Sequence, residues 1–469
     1  MFKSALLLTT GNIINSLMLL VRNVVVARLI SVEDFGVAAT FAITMAFIEM
    51  MTQLGMDWMI VQDKDGNNPK MQASLQAFQA MRGVIAGILM FAIAAPYAAL
   101  LGVEDIVWAY QLIALVPVVR GFIHFDVHRL KREMNFMPFV VHLALPAMLS
   151  VLAAYLFSFI WDDWRIMLYA LMTQHILMLL ISHIVAERRY AFIWDMSLMK
   201  RAFIFGWPLL VNGGLLFIIF NGEKIIVGRE LGMVDLALFA MMFTLTLTPT
   251  LVLQNSTQTF FLPQLSNNQE NAAEFTRLSH VTLQFALLIA VVLTVGIALF
   301  GPPIVGLLLG EKYYPGLPLL VWLAIVQAIR VAKVGGAIVS LAKAFTNNAM
   351  IANGARVLAM PIAWFLVVEG YGLMAVIVLA IIAETIGYFM SLYLVKHRVK
   401  IELGPVVLPL CLTALTLALI ALDLVLYPPQ NGAILDHAHL FQLTYIAAGI
   451  AAMASMKEAM SYVWSRARG

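Results

Sequence analysis

Apolar stretches of roughly twenty residues recur along this chain at short, regular intervals, and the connectors between them hold most of the charge. A hydrocarbon layer of about 30 Å takes about twenty residues of helix to cross. The pattern predicts spans near 5–29, 35–61, 74–100, 106–127, 138–160, 164–186, 203–226, 235–259, 279–309, 317–343, 349–368, 371–395, 404–427 and 439–460, about fourteen helices in all. Lipid offers no hydrogen-bond partners, so backbone at that depth must be helical. The expected fold class is an all-α polytopic membrane protein. The stretch 279–309 contains Gly301-Pro302-Pro303 and is expected either to break or to end in a short cap.

Lys and Arg collect in cytoplasmic connections, which gives the orientation. With the N-terminus inside, the inner segments contain Lys3, Lys64, Lys70, Arg129, Lys131, Arg132, Arg188, Arg189, Lys200, Arg201, Arg277, Lys343, Lys396, Arg398, Lys400, Lys457, Arg466 and Arg468. The outer segments hold only Arg28, Arg165, Arg229 and Lys312. Both termini are therefore expected in the cytoplasm, with the protein in the inner membrane. Met1 to Leu29 does not read as a cleaved leader: its apolar stretch is too long, carries Arg22 and offers no small-residue cleavage site before Arg28. All connections are short, the longest outer one running from about Tyr427 to His439, and Tyr190–Lys200 is expected to lie at the inner interface or to form part of an aromatic belt.

Sliding the chain by 201 residues lays Val24-Val25-Val26-Ala27-Arg28, then Asp34-Phe35-Gly36, over Ile225-Ile226-Val227-Gly228-Arg229, then Asp235-Leu236-Ala237. Six spans separate the copies, so both halves share one orientation, a parallel repeat. The expected organisation is two pseudo-symmetric six-helix lobes, 1–200 and 201–400, with a cleft between them and two additional C-terminal transmembrane helices in 401–469.

Composition narrows the function classes. Hydrophobic residues make up 62% of the chain and charged ones only 12%, against about 25% charged in soluble domains. One cysteine, Cys411, allows neither a disulfide framework nor a cysteine metal cluster. A net charge of +3 gives no reason to expect nucleic acid. No Walker A sequence, HExxH or GxSxG is present. No metal, cofactor or catalytic group is expected.

Several charges fall inside predicted spans: Arg22, Arg82, Arg120, Lys224, Arg330, Lys333 and Arg356, with Glu49, Asp57, Asp126, Glu223, Glu384 and Asp423. A charge at the bilayer centre costs at least about 2.5–3.5 kcal/mol, so it normally faces a partner or a wet cavity. Snorkelling to the interface accounts for Lys224, Arg120 and Arg82, and Asp57 and Asp126 lie near the cytoplasmic edge. Asn12, Asn15 and Arg22 form one polar stripe, Gln327, Arg330 and Lys333 a second, and Asn353 with Arg356 a third. None of the three contains an acid. They are candidates to line a cationic cavity for an anionic substrate, the alternative being internal pairing with Glu49 or Glu384. Those two acids are also candidates for ion coupling. Pro208, Gly213, Gly214, Pro249 and Pro361 are expected to kink or interrupt spans. His124 and His128 share a face at i, i+4 and are read as interfacial and structural.

The run Ala27-Arg28-Leu29-Ile30-Ser31-Val32-Glu33-Asp34-Phe35-Gly36 resembles the end of the first span in bacterial polysaccharide flippases of the oligosaccharide transporter family. So do Gln53-Leu54-Gly55-Met56-Asp57-Trp58-Met59-Ile60-Val61-Gln62, Lys131-Arg132-Glu133-Met134-Asn135-Phe136 and Phe261-Leu262-Pro263-Gln264-Leu265-Ser266. The resemblance implies the fold shared with multidrug exporters and the peptidoglycan lipid flippase. It also implies movement of a polyprenyl-pyrophosphate-linked oligosaccharide to the periplasmic leaflet by alternating access. Membrane lipids and the polysaccharide polymerase and export machinery are the partners it implies. This chain departs from the family pattern in having Glu223-Lys224 near the end of the seventh span and Ala237-Leu238-Phe239 in the eighth. The rival functions are an ion-coupled multidrug exporter on the same fold and a membrane-embedded glycan polymerase or ligase. The short outer connections weigh against an enzyme.

Overall fold

The computed structural model describes residues 2–52, 54–431 and 439–467. Among them the chain is helical, in the order α1 (Phe2–Leu29), α2 (Val32–Thr52), α3 (Met56–Gln62), α4 (Pro69–Leu101), α5 (Val107–Ile113), α6 (Leu115–Gly121), α7 (Asp126–Arg132), α8 (Met137–Phe157), α9 (Arg165–Ile184) and α10 (Met196–Glu230). Then follow α11 (Met233–Asn267), α12 (Ala272–Leu309), α13 (Leu317–Ala342), α14 (Asn347–Leu366), α15 (Gly372–Leu394), α16 (Gly404–Leu426), α17 (His439–Ser455) and α18 (Lys457–Ala467). Of the expected connector after Tyr427, residues 432–438 lie outside the described residues. So do Arg468 and the side chains of Lys3, Pro208 and Arg466.

By length and apolar composition, ten of the described helices can cross a membrane, or eleven if the pair 104–121 and 126–132, bent by 49°, is one span. The protein is thus a multi-pass membrane protein, with fewer helices meeting that measure than the fourteen expected. One reason is that 347–399 counts as one apolar run of 53 residues. It nevertheless folds as two helices packed on each other, because Gly370 (φ 91°) turns the chain between α14 and α15. Another is that α17 has only 17 residues.

The chain divides into two compact units, Met1–Ala237 and Leu238–Gly469. In the first, α1 packs on α8, α8 on α9, α4 on α5 and α6, and α10 on α2 and α4. In the second, α12 packs on α13, α13 and α14 on α15, and α16 on α12 and α17. The expected boundary at residue 200 is therefore not where the compact units divide, because α10 goes with the first. The reason lies in two small residues. A Cβ on Gly206 would run into the Leu54 carbonyl and one on Gly213 into that of Met50, so only glycine lets α10 lie this close to α2 and to the connector after it. Gly213 thus does not interrupt its helix, and Pro249, Pro302, Pro303 and Pro361 likewise sit inside continuous helices. Gly213→Val should lower the stability of the solubilised protein by about 1–3 kcal/mol, read as a drop in its thermal unfolding temperature.

The turn between α1 and α2 recurs between α10 and α11: Leu29 and Glu230, and Val32 and Met233, are each 201 residues apart. Helix starts are capped where the sequence allows. Asn68 accepts from the Lys70 N–H ahead of Pro69 at the start of α4, and Asn271 caps α12 through Glu274 N–H. Asp195 caps α10 by accepting from the Ser197 and Leu198 N–H groups. The Ser197 hydroxyl, the ammonium of Lys70 at 2.9 Å and the Leu198 N–H hold its carboxyl well below the usual range. The Tyr190–Lys200 segment has no regular structure up to Asp195 and then enters α10, with Phe192, Trp194 and Met196 exposed.

Candidate functional site

The second unit gathers charge at one point. Gln327, Arg330 and Lys333 are successive turns of α13, Arg356 belongs to α14 and Glu384 to α15, and all five are buried. Arg330 donates through Nε and reaches through Nη2 to Glu384 Oε1, both at 3.0 Å. Lys333 Nζ lies 2.6 Å from Oε2, and Arg356 Nε 3.5 Å from Oε1. Arg330 Nη1 also donates to Gln327 Oε1 at 3.1 Å, which fixes the fork. Of the two arrangements the stripes left open, internal pairing is the one this unit contains. The acid that α13 and α14 lack comes from a third helix. Asn353, one turn before Arg356, is half-buried and makes no hydrogen bond among the described residues.

The first unit treats its candidates differently. Arg22 is buried between α1, α8 and α9, where it donates to Ser150 Oγ at 3.3 Å and to Gln174 Oε1. Its partners are a hydroxyl and an amide. Asn15 is half-buried and Asn12 exposed, so this stripe ends in neutral company.

The same unit contains a cavity of about 370 Å³ that helical spacing did not reveal. Its polar lining comes from six helices: Glu49 of α2, Asp57 of α3, Gln79 and Arg82 of α4, Arg120 of α6, His128 of α7 and His142 of α8. Arg120 pairs with Glu49, a partner that the snorkelling expectation had not given it. Gln79 Nε2 donates to the Arg120 carbonyl at 2.9 Å, and His142 Nδ1 meets the Met178 carbonyl at 3.0 Å. The side chains of Asp57, Arg82 and His128 make no hydrogen bond among the described residues, and Arg82 Nε is buried without a hydrogen-bond partner. None of Arg22, Arg330, Lys333 and Arg356 lines this cavity.

His124 and His128 do not share a helix face, because the chain bends between α6 and α7. His124 accepts from the Asp126 N–H at 3.1 Å and faces the rings of His183 and Tyr190, whereas His128 leans on Phe125 and Phe139 beside the cavity. Asp126 is fully buried at the centre of a connector knot. It accepts from Arg129 at 2.5 and 3.2 Å, from Gln72 Nε2 at 3.2 Å and from the N–H groups of Glu187 and Arg188 at 2.8 and 3.2 Å. No group of three or more metal-ligating side chains exists among the described residues.

A multidrug resistance MATE transporter of the MOP superfamily, in an inward-facing conformation, matches with a TM-score of 0.69 at 16% identity over 82% of this chain and 94% of its own. The lipid II flippase MurJ, inward closed, also scores 0.69, at 14% identity, over 98% of this chain and 99% of its own. A Vibrio cholerae MATE transporter scores 0.54 at 13% identity, covering 85% and 97%. These likenesses define the architecture: the fold that MATE transporters share with the flippase MurJ. A search of curated proteins finds no match. The chain belongs to the polysaccharide biosynthesis protein family, whose model matches residues 25–318, and the resemblance seen in the sequence holds.

Proposed function

We propose that this protein is a flippase that carries a polyprenyl-pyrophosphate-linked oligosaccharide from the cytoplasmic to the periplasmic leaflet of a bacterial inner membrane, for surface polysaccharide assembly. In this reading it has fourteen spans, both termini in the cytoplasm, and works beside a polymerase and export machinery. The observation that carries it is the gathering of Arg330, Lys333 and Arg356 on Glu384 within the apolar helices of a polysaccharide biosynthesis family member.

A sugar diphosphate cannot cross hydrocarbon unaided, since each buried polar group loses its hydrogen bonds to water. Guanidinium forks match phosphate oxygens in geometry, and Glu384 keeps the three bases together when no substrate is bound. An arriving diphosphate takes over that carboxylate's place among them, and the site then opens to the other face. Outward movement of negative charge gains roughly 2.3 kcal/mol per charge per 100 mV of membrane potential. A coupling ion at Glu49 or Glu384 would have to displace the bases each now holds, so the potential is the simpler drive.

Arg330→Ala should cut surface glycan export by about tenfold or more, as expected for losing a charge-assisted contact, with lipid-linked glycan accumulating and protein abundance unchanged. Arg22→Ala, by the same assay, tests whether the first stripe takes part. Normal export in Arg330→Ala rules the cationic assignment out. A change in drug tolerance with normal glycan would point to the multidrug exporter instead.

A further inference from the structure

We infer that the cavity of the first unit is a glycan-binding site that takes neutral sugar rings through neighbouring hydroxyls. The inference rests on the flippase reading only for which glycan is offered.

The cavity's volume of about 370 Å³ lies within the usual small-ligand range of about 300–1,000 Å³. Its charge is balanced, with Glu49 and Asp57 against Arg82 and Arg120. A site for diphosphate would be expected to carry an excess of bases, as the cluster on Glu384 does, and a site for a cation an excess of acids. A balanced set suits a ligand whose every group both donates and accepts, which describes a hydroxyl.

The unengaged groups sharpen the match. Buried polar groups are nearly always hydrogen-bonded, yet Arg82 Nε is buried without such a partner, and the half-buried side chains of Asp57 and His128 make no hydrogen bond among the described residues. A carboxylate only accepts and a guanidinium only donates, so together they can bracket two adjacent hydroxyls, while the imidazole serves either way. His142 is tied by Nδ1 to Met178, which leaves its other ring nitrogen available. Phe139 supplies an apolar wall for the C–H face of a ring. The Arg120–Glu49 pair is the accessible edge, with the Glu49 side chain 52% exposed. The two ends of the substrate would then meet two chemistries: balanced donors and acceptors for sugar, clustered bases for diphosphate.

The test uses the full chain in lipid nanodiscs, with two probes: the oligosaccharide released by mild acid from the host's own surface polysaccharide, and inorganic diphosphate. Titration calorimetry should show the oligosaccharide binding the wild type. Asp57→Asn and Arg82→Gln should each weaken binding by about tenfold or more, while Lys396→Gln, at an exposed residue outside both sites, leaves it unchanged and diphosphate does not compete. Because neither cavity side chain makes a hydrogen bond among the described residues, both variants should keep the wild-type melting temperature without glycan. Unaltered affinity in both variants, competition by diphosphate, or no binding to the wild type overturns the inference. Should Arg330→Ala block export while both cavity variants bind glycan normally, the flippase reading stands and the cavity assignment falls. Lost binding in the cavity variants alongside normal export by Arg330→Ala has the opposite meaning.

Discussion

Glu384→Ala should be among the most damaging single changes available in this chain. It removes the carboxylate that Arg330, Lys333 and Arg356 share, in a place where that side chain has no exposed surface. Breaking a buried ion pair by deleting one partner costs about 3–5 kcal/mol, because the remaining charge stays buried without its counterpart. We expect an unfolding free energy lower by about that amount and less protein in the membrane. Adding Lys333→Met should recover part of the loss, since it removes one of the orphaned charges; a double-mutant cycle measures the coupling. A single variant within about 1 kcal/mol of wild type would show that the bases do not depend on this acid.

Asp126→Ala should rival it, by a different route. The carboxylate ties Arg129 on its own helix to Gln72 of α4 and to the backbone of Glu187 and Arg188 after α9. Its removal leaves two part-buried N–H groups and a buried guanidinium with fewer acceptors, at up to about 1–3 kcal/mol for each neutral group and more for the charge. Arg129 retains Glu133 and Glu187, at 2.8 and 2.9 Å, so the arginine survives better than the amides. Hydrogen exchange should rise at Glu187 and Arg188 before it rises in α8 or α9. Uniform loosening of the whole unit would contradict a local knot.

What the sequence disclosed and what it hid follow from how far each signal reaches. Apolar length locates helices because lipid imposes it, and the turns after Leu29 and Glu230 fell where the repeat put them. Spacing along a helix groups residues of that helix alone. It found Gln327, Arg330 and Lys333 as one stripe but could not see Glu384 arriving from α15, nor Arg120 reaching Glu49. The cavity of the first unit needs six helices at once, so no linear pattern marks it. His124 and His128 misled because four-residue spacing has meaning only on an unbroken helix. Gly213 misled in another way: the missing side chain serves close approach to α2 and not a break.

The hairpin of α14 and α15 bears on how such a chain enters the bilayer in the first place. Only five residues, Val367–Tyr371, separate its two helices, too few to form a soluble loop of their own, which favours insertion of both arms together. Arg356 rides on one arm and Glu384 on the other, 3.5 Å apart once the arms close. Delivered singly, each would bring a lone charge into oil at a cost of about 2.5–3.5 kcal/mol; delivered as a pair, each enters already facing its opposite. The pair that joins the two finished helices would thus also ease the passage of these arms out of the translocon.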